Sequence, residues 1–155
     1  MLSWLESTSL ALWLRESPSI WALPTVLTLH TAGMAVLVGT SWMLDLRLLG
    51  VGRHVPLSAY RWVFPTLAVG LFVNLVTGVL LFIKNPTTWG TAMPFLVKML
   101  LVVASVATLV PVRSLVLRSD EGPDVSRNVR LLAIASILAW TGAVTAGRLL
   151  AYLVP

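Results

Sequence analysis

Residues Ile20 to Leu46 read IWALPTVLTLHTAGMAVLVGTSWMLDL. The only ionisable side chains in this stretch are His30, near its middle, and Asp45, at its end. An apolar run of this length exceeds the roughly 20 residues that cross a bilayer core. Lipid offers no hydrogen bonds, so a spanning backbone must satisfy its own N–H and C=O groups, as a helix does. The stretch therefore predicts a membrane-spanning helix, bounded by Trp21 at one end and by Asp45 and Arg47 at the other.

Working outward, the same reading applies to about 62–83, 93–117 and 131–154. The connections are polar or rich in breakers: 49–61 with Gly50, Gly52 and Pro56, then Lys84-Asn85-Pro86, then 118–130, the most polar part of the chain. Pro111 lies inside the third span and predicts a kink there. Residues 3–16, SWLESTSLALWLRE, set Trp4, Leu5, Leu12 and Trp13 against Glu6, Ser7, Ser9 and Glu16. They are too short to span and read as one amphipathic helix lying on the membrane surface. The expected fold class is all-α: a polytopic four-helix membrane bundle with a short N-terminal interfacial helix, in which residues 1–155 form a single integral membrane domain.

Composition agrees. The chain is 57% hydrophobic and 11% charged, whereas a soluble domain carries about 25% charged residues. The net charge of +5 sits at the ends of apolar runs. There it reads as topology signals and headgroup contacts rather than a nucleic-acid footprint. Seven of the eleven basic residues (Arg47, Arg53, Arg61, Arg113, Arg118, Arg127 and Arg130) flank the loops joining spans one to two and three to four. Cytoplasmic loops attract Lys and Arg, so both termini are expected outside, periplasmic in a bacterium. The absence of cysteine excludes disulfides, thiolate metal sites and covalent c-type haem. The N-terminus lacks the basic region of a cleavable signal peptide. Neither a nucleophile elbow, a zinc-protease HExxH nor a P-loop is present, so hydrolase and ATPase readings have no support.

His30 is the most informative residue, because an ionisable group in the bilayer interior marks a functional site by default. Met34, Leu37, Ser41 and Asp45 follow it on one helical stripe, and Gly33 lies beside it. Imidazole suits haem iron, which makes His30 a candidate axial ligand of haem b. Its partner would be Met34, Met93 or Met99, or the haem would be five-coordinate, since His54 is 24 positions away in a loop. Imidazole and thioether one turn apart also suit copper at His30 and Met34. The plainest reading asks least of the sequence: His30 is a neutral packing residue hydrogen-bonded to Asn74, mid-depth in the second span, with no cofactor at all. Gly70, Asn74 and Gly78 share a face of that span, with Thr77 beside them, and are expected to pack on the His30 stripe. A proton relay through Asp45, Ser41 and His30 is a further reading. Asp45 is otherwise expected to form an interfacial ion pair with Arg47, Arg61 or Arg113. Arg148 is expected to snorkel to the interface, near Thr141 and Thr145.

The runs Leu29-His30-Thr31-Ala32-Gly33 and Asp45-Leu46-Arg47-Leu48-Leu49-Gly50, with Pro94-Phe95-Leu96-Val97-Lys98 and Gly147-Arg148-Leu149-Leu150-Ala151-Tyr152, resemble those of a family of small four-helix bacterial inner-membrane proteins of unknown function. The plan is more loosely similar to the membrane domains of copper-resistance D proteins. The family pattern carries a histidine near the end of the third span, where this chain reads Val110-Pro111-Val112-Arg113. The resemblance thus implies fold and location, and no established activity. The expected role is a small non-enzymatic membrane component that works as a homo-oligomer or beside other membrane subunits. The alternatives are a haem b or copper protein using His30 and a small transporter.

Overall fold

A computed structural model of the chain describes residues 2–118 and 125–153. The described residues form helices and connections without a strand. The centre of the polar loop expected over 118–130, and the last residue of the fourth expected span, lie outside them. Two short helices, α1 (Leu2–Glu6) and α2 (Ser9–Glu16), precede the first long helix, α3 (Leu23–Leu49). A 3₁₀ turn over Leu57–Tyr60 leads into α4 (Val63–Lys84). The single-turn α5 (Pro86–Trp89) bridges to α6 (Met93–Arg118), and α7 (Arg127–Leu153) completes the chain. The segments containing α3, α4, α6 and α7 are each long and apolar enough to cross a bilayer. Large apolar side chains such as Phe72 and Leu100 point outward and are about two-thirds exposed, which suits a lipid solvent. The chain is an integral membrane protein built as a four-helix bundle.

The expected interfacial stretch is two helices, not one. The Ser7 and Thr8 hydroxyls donate to the carbonyls of Trp4 and Leu5, closing α1, and Thr8 Oγ1 then accepts from Ala11 N to cap α2. Short hydroxyl side chains compete with the helix ladder in this way, and favour caps over helix interiors. At the far end of α3, Gly50 takes φ +110°, and its N–H and that of Val51 return to Leu46 O. That left-handed turn stops the helix where the apolar run stops. Pro111 sits inside α6 without ending it.

Three sides of the bundle are packed. α3 lies on α4, α7 lies on α3, and α6 lies on α7. The α3–α4 side is close because Gly70 faces the α3 backbone: a Cβ there would stand 3.0 Å from Leu37 N and 3.2 Å from Gly33 O. Small residues permit such approach between membrane helices. The fourth side, α4 against α6, is the loose one. It is held at one end by the stacked rings of Phe82 and Phe95, 5.1 Å between centroids.

Candidate functional site

The α3 stripe around His30 meets α4 as the sequence predicts, through a specific bonding pattern. Asn74 Nδ2 donates to the His30 backbone carbonyl at 2.8 Å. The imidazole itself is partnered by Thr77, with Nδ1 2.9 Å from Oγ1. Thr77 Oγ1 lies 2.6 Å from Val73 O, and its only hydrogen is spent on that carbonyl. The hydroxyl therefore accepts from the ring, and the network assigns the imidazole proton to Nδ1. Gly78 lies against the ring, where a Cβ would meet His30 Cε1 at an ordinary contact distance of 3.4 Å. Nε2 is then a lone-pair acceptor, and it has no hydrogen-bond partner among the described residues.

His30 lines a cavity of about 270 Å³ set between α3, α4, α6 and α7. Its wall includes Met34, Asn74, Met99 and Trp140, and otherwise aliphatic and phenyl groups. It also includes Lys98, on α6. The Lys98 stem runs along Gly147 of α7, where an added Cβ would lie 3.4–3.5 Å from Cδ, Cε and Nζ. Half-buried Lys98 makes no hydrogen bond or ion pair among the described residues. The imidazole from α3 and the ammonium from α6 line the same cavity. Along the same α4–α6 gap a second cavity of about 410 Å³ shares Leu37 and Leu71 with the first and ends at Arg113. The two make an elongated seam on the loose side of the bundle.

Below this seam, toward the opposite end of α3, Asp45 is fully buried. Its carboxylate does not meet an arginine. Ser136 Oγ of α7 donates to Oδ2 at 2.7 Å, and Ser41 Oγ approaches the same oxygen at 3.5 Å. Trp140 Nε1 donates to Ser41 Oγ at 3.0 Å, which turns the serine proton toward Asp45. An indole N–H only donates, so this chain ends at Trp140 and does not continue as a proton relay to His30. The ion pair expected for Asp45 fails for a geometric reason: Asp45 faces α7, and Arg47, two positions on, turns to the loop. Arg47 donates to Val55 O at 2.8 Å and Arg53 O at 3.3 Å. Arg61 reaches Leu117 O at 3.2 Å. Arg148 bonds the Tyr152 hydroxyl at 3.2 Å and lies over its ring. The Thr141 and Thr145 hydroxyls bond carbonyls of their own helix rather than Arg148.

Met34 and Asn74 thus join His30 at one cavity, while Asp45, Arg47, Arg61 and Arg148 stand elsewhere in structural contacts. Met99, weighed only as a second ligand, lines the same cavity. In the sequence Lys98 stands only among the four remaining basic residues and at the end of the Pro94–Lys98 run. Its position inside an apolar run of α6 was the signal that it belongs to an interior site. For a metal, imidazole and two thioethers are suitable donors, but the neighbouring ammonium repels a cation at low dielectric. No group of three or more His, Cys, Asp or Glu able to hold a metal occurs among the described residues.

The fold and this cavity define a polytopic helical membrane protein with a polar centre inside the bilayer. Comparison with known proteins yields no matching family model, no matching curated protein and no matching solved structure.

Proposed function

We propose that this chain is a small non-enzymatic protein of the bacterial inner membrane, with both termini periplasmic, that binds a membrane-dissolved ligand in the α4–α6 seam. It does so as a homo-oligomer or as an accessory subunit of a larger membrane assembly. The observation that carries the reading is the pairing of an unpartnered ammonium, Lys98, with an unpartnered imidazole nitrogen, His30 Nε2, in one apolar cavity. Unpaired polar groups in hydrocarbon are costly, so their joint presence argues for a partner that arrives from outside the chain. The bacterial location rests on the sequence resemblance and the orientation on the arginine bias.

Native mass spectrometry of protein extracted gently from its membrane tests this. One adduct of small mass per chain is expected, reduced in Lys98→Met and His30→Ala variants that still fold. A bare chain that neither carries nor takes up any lipid-soluble molecule would sink the reading. A visible spectrum on the same sample decides the rival: His30, Met34 and Met99 around one cavity favour haem b or copper, and a Soret band lost with His30→Ala would establish haem in place of the present reading.

A further inference from the structure

The chemistry of the seam narrows what it holds. Its two free polar groups differ in kind. Lys98 offers only N–H donors and a positive charge, while His30 Nε2, with Nδ1–H committed to Thr77, offers only a lone pair. A matching head must accept from one and donate to the other. A carboxylic acid does both: one oxygen accepts from Lys98 Nζ, and the O–H donates to Nε2. The contact is satisfied whether the shared proton rests on oxygen or on nitrogen. A metal cation is opposed by Lys98, and an alcohol, unlike an acid, cannot pass its proton to Nε2 and leave a negative charge beside Lys98.

Depth and shape point the same way. At 1.5 Å per residue, His30 lies roughly 10 Å in from the start of α3 and Lys98 about 8 Å in from the start of α6. With the helix starts at the membrane surface, both sit within the hydrocarbon, so the head must shed its water to reach them. A fatty acid does this as the neutral acid, whereas a phosphodiester stays charged. The rest of the ligand should be long and apolar, because a second, largely apolar cavity adjoins the His30 cavity at Leu37 and Leu71. The loose α4–α6 side gives it a lateral entrance from the bilayer.

We propose that the seam binds a long-chain carboxylic acid, with its head between Lys98 and His30 and its chain laid along α4 and α6 toward Arg113. This rests on the ligand-site reading above and adds the class of ligand and its direction.

The test is equilibrium binding of ¹³C-labelled hexadecanoic acid to the protein in phosphatidylcholine nanodiscs. Saturable uptake of one acid per chain is expected. Hexadecanol, with the same chain and no acid, should bind at least about tenfold more weakly, and Lys98→Met should weaken the acid by about as much. Lys98→Arg should keep most of the binding, and Arg113→Met should change it little. Equal binding of acid and alcohol to the unmodified protein overturns the proposal without any variant having to fold. So does displacement of the acid by added phosphatidylglycerol, which would make the ligand an anionic phospholipid. Loss of binding in Arg113→Met but not in Lys98→Met would reverse the ligand and equally refute it. An extracted protein whose adduct is not an acid overturns this proposal and leaves the ligand-site reading standing. Absence of any adduct and of any uptake removes both.

Discussion

At the scale of single residues, the polar groups of the bilayer interior fall into two kinds. Asp45 and Thr77 are satisfied by protein, and His30 Nε2 and Lys98 are not. The distinction was only partly legible in the sequence. Helical spacing put His30, Ser41 and Asp45 on one stripe, which the structure keeps. It could not show that Ser136, 91 positions on, would supply the hydrogen bond to Asp45, because that contact depends on how α7 is rotated against α3. Lys98 is hidden for a similar reason: charge counting treats every lysine near a helix end alike. The Asp45 contact makes a direct prediction. In Ser136→Ala the carboxylate keeps only the longer approach from Ser41. A buried acceptor deprived of its partner costs about 1–3 kcal/mol, and unfolding in mild detergent should show a loss of that size. The double variant Asp45→Leu/Ser136→Ala removes the stranded acceptor and should regain part of it. Unchanged stability in the single variant would mean that the α3–α7 tie is carried by packing alone.

At the scale of elements, the four long helices were legible because length and hydropathy suffice when lipid is the solvent. The short ones were not. A stretch of polar and apolar residues at helical spacing reads as one amphipathic helix, and Ser7 and Thr8 break it only through local side-chain bonds to the backbone. The resulting α1 is clamped to the α4–α6 connection. Glu6 Oε1 accepts from the backbone N–H of Thr87 at 3.1 Å and from the Thr87 hydroxyl, and Arg15 donates to the Glu6 carbonyl. The Thr87 hydroxyl foremost, and then its N–H, hold the Glu6 carboxyl below the usual carboxylate range. A carboxylate depressed on folding contributes stability above its unfolded pKa, and that contribution is lost as pH falls through the folded value. The clamp should therefore hold through mild acid and open only as the pH falls below the usual carboxylate range. Hydrogen exchange at the Thr87 amide should accelerate as pH drops below the normal carboxylate range, after correction for the intrinsic rate. In Glu6→Ala, which removes the acceptor, the exchange should already be fast at neutral pH and lose this dependence. Retained protection in Glu6→Ala would show that α1 is held by its apolar contacts instead.

At the scale of the whole molecule, the sequence supports an orientation, and the structure gives it a consequence. His30, Asn74 and Lys98 lie in the half of the bundle nearest the N-terminus, the α4–α6 connection and the end of α7. If the arginine-rich loops are cytoplasmic, the polar end of the seam opens in the outer leaflet and Arg113 marks the inner one. The charge bias is seven residues against four, and one of those four, Lys98, belongs to the cavity rather than to a loop, which widens the contrast. The chain contains no cysteine, so single introduced thiols report topology without background. Ser7→Cys, in the exposed turn between α1 and α2, should react with a membrane-impermeant maleimide added to intact spheroplasts. Val51→Cys, exposed just beyond α3, should react only after the membrane is opened. The reverse pattern would invert the bundle and place the acid-binding end of the seam in the cytoplasmic leaflet. The ligand would then be drawn from the lipids facing the cytoplasm. Labelling of both thiols from one side would contradict an odd number of crossings between residues 7 and 51, and with it the spanning role of α3.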